Sequence, residues 1–304
     1  MSSDLRHSPA DSREVAQKMA KVKDFLVEAR ILDWYKNLLI LVAPFFGGKL
    51  LYPVYYPSLL LGFLALSATS SACYVINDIK DAARDAYHPR KKHRPVASGK
   101  MSRASALIFS IALLGFSLFT SYRVSIIFLV LCISLFLNSI IYTFFLRDVA
   151  WLDLLSISLN YIIRSLAGAE IVNVYVSPWL LISVFYTSML LALSKRREEL
   201  TALNEAEHYR KSFKHYDVTL IDQAITVFST LIIISYSLYT FHSPYADGPL
   251  PFTIPIITLI VLQFISISKK TGEAGIIRRL LSSRTIVTSL LIWLVIMFYL
   301  IYLT

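Results

Sequence analysis

A chain of 304 residues that is 56% hydrophobic and only 16% charged departs from soluble domains, which carry about 25% charged and about 45–50% apolar residues. Its apolar residues gather in stretches of roughly 16–24, the length that crosses about 30 Å of hydrocarbon as a helix, which excludes an ordinary soluble bundle. The net charge of +10 does not call for nucleic acid, because the basic residues sit at the ends of these stretches, where anionic lipid and the positive-inside rule account for them.

Residues 1–36 are polar and charged and read as a cytoplasmic N-terminal segment with no cleavable signal peptide. Within it Val15, Met19, Val22 and Leu26 recur at helical spacing with basic residues between them. That pattern fits an amphipathic helix lying on the membrane surface or a plain helical linker. Residues 37–304 form one domain, with spans expected at 37–52, 57–79, 104–122, 124–146, 149–172, 177–194, 217–241, 251–267 and 284–303. The first is short and holds Pro44, Gly47 and Gly48; the fifth holds Asn160 and Arg164. Basic residues crowd the segments before the first span and after the second, sixth and eighth, while the other side has Lys49 and Arg123. This asymmetry predicts about nine transmembrane helices, with the N-terminus cytoplasmic and Thr304 outside. Cys73 and Cys132 fall inside spans, with no disulfide or zinc spacing, and read as small core residues.

The densest chemical signal is residues 77–95, NDIKDAARDAYHPRKKHRP. Asp78, Asp81 and Asp85 are three and four apart, so a helix carries the three carboxylates on one face. Like charges so placed repel unless a cation neutralises them. Mg2+ suits the position, because it takes oxygen ligands from one or two carboxylates and completes its shell with substrate phosphates and water. Asn77 borders the acidic face. Lys91, Lys92 and Arg94 follow it and supply fixed positive charge for phosphate oxygens, while Pro89 and Pro95 end the helix and hold that loop close. A second charged stretch, SKRREELTALNEAEHYRKSFKHY at 194–216, places Lys195, Arg196 and Arg197 ahead of Glu198 and Glu199, with Arg210 and Tyr216 further on. Such a cluster is a poor metal site and a good site for phosphate without metal.

The pattern NDxxDxxxDxxHPxKxxRP resembles the first Asp-rich signature of the UbiA-type superfamily of intramembrane prenyltransferases. The resemblance implies an all-α polytopic membrane protein with nine helices around a central cavity, Mg2+-bound diphosphate, and cytoplasmic polar caps. Most members carry a second acidic motif after the sixth span; here the basic stretch stands in its place. In that departure the chain resembles the decaprenyl-phosphate phosphoribosyltransferase branch, through KRxxEL…R…Y and through DWYKNLLILVAPFF, LRDVAWLDLLSISLNYIIRSLAGA and SPWLL. The resemblance runs from about residue 30 to about 220. It implies transfer of 5-phosphoribosyl from phosphoribosyl pyrophosphate (PRPP) to a polyprenyl phosphate, as in the synthesis of cell-envelope polysaccharide precursors, at a cytoplasmic-side site in the plasma membrane. The donor diphosphate would then sit on Mg2+ held by Asp78, Asp81 and Asp85, with Asn77, Lys91, Arg94, Lys195, Arg196, Glu199, Arg210 and Tyr216 around the substrates.

Three further positions are open between two readings. Arg164, inside a span at a cost of about 2.5–3.5 kcal/mol on insertion scales, meets either a phosphate or a structural partner, Asp153 or Glu170. Lys36, with Asn37, either contacts lipid phosphate or anchors the first span at the interface. Asn138 and Tyr142 face a polar cavity or bond a neighbouring helix. The alternative activity is transfer of a prenyl diphosphate to an aromatic or other acceptor; a carrier of phosphorylated lipid is a third reading. The partners expected are the substrates and the bilayer, with no nucleic acid, and a homo-oligomer is compatible with all of this.

Overall fold

The computed structural model describes residues 22–89, 91–202, 211–246, 248–270 and 275–303. Among them the secondary structure is helical, without strands. Eight elements are long and apolar enough to cross a membrane. Their helices are α1 (Tyr56–Asp85), α2 (Arg103–Val124), α3 (Ile126–Ile141), α4 (Leu152–Val172), α5 (Pro178–Ala202), α6 (Val218–His242), α7 (Ile254–Ser268) and α8 (Arg284–Tyr302). All lie within a few residues of the apolar stretches, except that α1 and α5 run on into the polar motifs. The capping chemistry explains several starts. Ser102, Ser125, Asp217 and Ser283 each accept the amide of the residue three positions on, satisfying a donor that the first turn leaves free.

The segment expected to be the first span differs. Ile31–Leu41 is a 3-10 helix, Val42–Phe46 one short α-helical stretch, and the chain then turns at Gly47 and Gly48. Pro44 and the glycines cannot sustain a long α-helix, and a 3-10 helix rises about 2.0 Å per residue against 1.5 Å. Residues 31–46 therefore extend for roughly 30 Å despite their small number. They lie against α1 and α4. The fit depends on Gly168 of α4, where an added Cβ would stand 1.8 Å from the Ile40 carbonyl oxygen. Of the amphipathic N-terminal pattern, residues 22–28 are helical with Val22 and Leu26 exposed, and Phe25 meets Phe109 edge-to-face. Val15 and Met19 lie outside the described residues.

Successive helices from α1 to α8 pack on their neighbours. Ile40, Leu66, Phe128, Leu135 and Ile163 join the 31–46 segment to α1, α3 and α4. Leu154, Met189, Leu193, Ile221 and Ile225 join α4, α5 and α6. The series closes where Tyr302 at the end of α8 donates to the carbonyls of Phe45 (2.8 Å) and Pro44 (3.2 Å) and accepts from the Leu50 amide. Large apolar side chains such as Ile111, Phe119, Leu137 and Val295 stay exposed, as expected of a surface facing lipid.

With thirty residues, α1 is about 45 Å long, more than the hydrocarbon core needs. Its last two turns therefore carry Asp78, Asp81 and Asp85 beyond the apolar part, at the polar end of the bundle.

Candidate active site

Asp78, Asp81 and Asp85 are buried at that end, and each carboxylate meets arginine. Asp78 and Asp85 both accept from one nitrogen, Nη1 of Arg94, at 2.9 and 2.6 Å. Their spacing of seven brings them to a common point on the helix face. Arg30, arriving from the segment before the 3-10 helix, donates to the same Asp78 oxygen. Asp81 turns to another side, where Arg147 donates at 2.5 Å and Arg84 stands at 3.1 Å. The same Arg147 nitrogen reaches Asn77 Oδ1 at 3.2 Å. Lys91 is half-buried in a turn of 3-10 helix, Lys91–His93, next to this cluster.

The donor set fits a divalent cation at Asp78 and Asp85. Asp85 Oδ1 is buried with no hydrogen-bond partner, and Arg94 Nη1 holds a positive charge between the two carboxylates. Two carboxylates plus substrate oxygens are what Mg2+ uses. The expected triad divides: two aspartates converge, and the third is held apart by Arg147. Among the described residues no three acid, histidine or cysteine side chains gather as a metal site.

The second charged stretch is occupied differently from the expectation of open phosphate ligands. Arg196 is buried and donates from Nε to Asp153 Oδ2 at 3.1 Å and from Nη1 to Glu199 at 2.9 Å. Tyr216 donates to Asp153 Oδ1 at 3.0 Å and accepts from the Trp151 amide at 2.6 Å. This relay holds Trp151, whose φ of 67° a bulky residue rarely adopts, at the start of α4. Burial, ahead of the neighbouring Asp153, keeps the Tyr216 phenol above its usual range. Arg197 is drawn to Asp222 at 2.7 Å and to the carbonyls of Ser268 and Lys269, and Glu198 pairs with Arg279. Lys195 alone of the three basic neighbours is exposed, with Glu199, Arg196, Lys36 and Asp33 as the charges acting on it. Arg210 lies outside the described residues.

The three open positions resolve into observed contacts. Arg164 is buried and pairs with neither Asp153 nor Glu170; it donates to Asn37 Oδ1 at 2.7 Å, the Asn160 carbonyl at 2.8 Å and Ser70 Oγ at 3.1 Å. Those acceptors are neutral. Lys36 meets Asp33 at 2.7 Å and lies over the Tyr74 ring at 5.7 Å. Asn138 bonds helix to helix, donating to the Ser156 carbonyl at 2.8 Å and to Asn160 Oδ1 at 2.9 Å.

Two arginines of the site were not read from the sequence as functional. Arg147 follows the fourth expected span, and Arg30 is one of several basic residues before the first. They reach α1 from 66 and 48 residues away. A signal for Arg147 was present, because an acidic face so dense must find cations from another element if metal is absent.

The model of the UbiA prenyltransferase family matches residues 40–283. The chain is 29% identical over 261 residues to decaprenyl-phosphate phosphoribosyltransferase of Mycobacterium tuberculosis (strain ATCC 25618 / H37Rv), covering 81% of this chain and 86% of that one. It is 26% identical to the protein of the same name in Corynebacterium glutamicum, over 84% of this chain and 82% of that one. Among solved structures, a UbiA homolog from Archaeoglobus fulgidus bound to GPP and Mg2+ superposes with a TM-score of 0.70 at 17% identity, covering 91% of this chain and 98% of the other.

Proposed function

The chain belongs to the UbiA prenyltransferase family, and from that premise we propose that it transfers 5-phosphoribosyl from PRPP to a polyprenyl phosphate, releasing pyrophosphate. The observation that carries this reading is the asymmetry of the polar end. A cation site at Asp78 and Asp85 stands on α1, while the end of α5 offers exposed Lys195 where a second acidic motif would serve a prenyl diphosphate. The names of the relatives support the same activity.

In the reaction, the bond from the anomeric carbon to pyrophosphate breaks and pyrophosphate leaves with the bonding electrons. A phosphate oxygen of the lipid forms the new bond at that carbon. Asp78 and Asp85 would hold Mg2+, with Asp81 beside them on the same helix. When bound, the metal supplies charge neutralisation for the leaving pyrophosphate. Arg94 and Lys91 give fixed positive charge to oxygens that point elsewhere, and Asn77 with Arg147 fixes the adjoining turn. Lys36, Lys195 and Arg164 would draw the lipid phosphate; Arg164 is the strongest candidate, being a buried cation with neutral acceptors only. Arg196, Glu199 and Tyr216 act by positioning, since they are committed to Asp153 and to one another. Because the lipid phosphate is already anionic near neutral pH, orientation and charge stabilisation supply the catalysis without a strong general base.

The excess of basic residues on the ends that carry this site supports a cytoplasmic active site, a cytoplasmic N-terminus and a C-terminus outside the cell membrane. With the 31–46 segment counted as a crossing, the described residues would make nine passes, the parity that this charge distribution requires.

A transfer assay in membranes tests the proposal. One arm supplies labelled PRPP with polyprenyl phosphate, the other labelled prenyl diphosphate with phenolic acceptors. Lipid-extractable label from PRPP, lost with EDTA, is the expected result. Label moving only from prenyl diphosphate would overturn the donor while leaving the metal site intact. In the first arm Lys195→Ala should raise the KM for one phosphorylated substrate about tenfold, the worth of one charge-assisted contact. An unchanged KM would return that lysine to interfacial charge.

A further inference from the structure

Glu28 is 1% exposed, and neither carboxylate oxygen has a hydrogen-bond partner among the described residues. A buried acid so placed is expected to be paired. Its charged neighbours are those of the active site, Asp78, Arg30 and Arg94. Burial first, and then Asp78, push this acid up to about 7.

Arg30, two residues on, has the left-handed backbone conformation (φ 49°, ψ 49°) that few non-glycine residues adopt. Such positions persist where the surroundings enforce them, and they collect at switching sites. Its guanidinium donates to Asp78 Oδ1, which Arg94 also occupies at 2.9 Å. A divalent cation at Asp78 would meet two guanidinium charges. Arg94 keeps Asp85 Oδ2 while the unpartnered Oδ1 faces the cation; Arg30 has the Tyr74 ring, 4.9 Å away, and Asp33 is already engaged by Lys36.

We infer that Glu28 is the positioning residue that receives the Arg30 guanidinium when a divalent cation takes Asp78. The exchange gives Arg30 a carboxylate in both states and gives Glu28 the partner it lacks without metal. Without metal, Asp78 holds Arg30; with metal, Asp78 holds the cation and Glu28 holds Arg30. Glu28 thereby lowers the cost of admitting the metal without touching it. The inference rests on the assignment of Asp78 and Asp85 as the cation site.

Mn2+ binding to the purified full-length protein, followed by the resonance of free Mn2+ with no substrate present, separates the two. Wild type should bind and Asp78→Asn should not; equal binding by both would remove the cation site itself. Given that site, Glu28→Gln should weaken Mn2+ binding by about tenfold, within the usual range of coupling between sites, and Glu28→Asp should recover part of it. Arg30→Gln should tighten binding, and the double variant should match Arg30→Gln, because no guanidinium is left to receive. Unchanged affinity in Glu28→Gln overturns the inference, as does a loss in the double variant equal to that in the single one, which a merely structural role would give.

Discussion

The two ends of this bundle are held by different chemistry. At one end, Asp78, Asp81, Asp85 and Asp153 meet Arg30, Arg94, Arg147 and Arg196 in ion pairs. At the other, hydroxyl and indole groups close the packing. Tyr302 bonds Pro44 and Phe45, and the Tyr236 hydroxyl lies 2.6 Å from Thr253 and accepts from Trp293 at 2.9 Å. Neutral hydrogen bonds of the second kind have one good arrangement. Ion pairs of the first kind can exchange partners when a cation or a phosphate arrives, because each arginine carries several donors and each carboxylate several acceptor sites. One end is made to be fixed and the other to be re-paired.

The largest effect that would break this contrast is at Asp78. Asp78→Asn should lower transfer by about two to three orders of magnitude, comparable to removing one charge-stabilising group from an active site, with the fold retained by circular dichroism. Retained turnover at ordinary Mg2+ would mean that the charged end is structural too.

Next comes acidity. The Glu28 carboxyl, raised from 4.5 to about 7 chiefly by burial, binds its proton more tightly in the folded state than unfolded. Stability is then greatest below about 4.5 and falls as pH rises through about 7. Glu28→Gln should thus raise the metal-free thermal midpoint at pH 8 and change it little at pH 4.5. Equal shifts at both pH values would assign the gain to packing.

A test between the two ends follows from Gly168. Gly168→Ala sets a methyl against the Ile40 carbonyl and should cost about 1–3 kcal/mol through overpacking, read as a lower thermal midpoint. The smallest effect is expected at the neutral end: Tyr302→Phe should cost about 1 kcal/mol and leave kcat within about twofold. A large kcat loss there would show that the two ends communicate.

What the sequence disclosed follows from locality. Periodicity over one helix placed the apolar spans, and a spacing of seven put Asp78 beside Asp85. The serine and aspartate caps of α2, α3, α6 and α8 are equally local, although they were not read from the sequence. Charge asymmetry predicted which ends would gather, and the contacts of Arg147 with Asp81 and of Arg196 with Asp153 join those ends. The partners themselves were not legible. Nothing local marks Arg30 for Asp78 or Tyr216 for Asp153, because those pairs depend on how helices distant in the chain lie against each other. Nor could composition distinguish a 3-10 segment from an α-helix at residues 31–41; how the segment lies against α1 and α4 is a property of the packed state.

The tightly wound segment Ile31–Leu41 has one more consequence. Its preceding residue, Arg30, grips Asp78 at the charged end, and the stretch that follows it is fastened to Tyr302 at the neutral end. As an α-helix the same eleven residues would be about 5 Å shorter, and the two grips would be drawn that much closer together. The winding is a ruler: it sets how far the arginine stands from the floor of the bundle, and so where along α1 it can reach an aspartate.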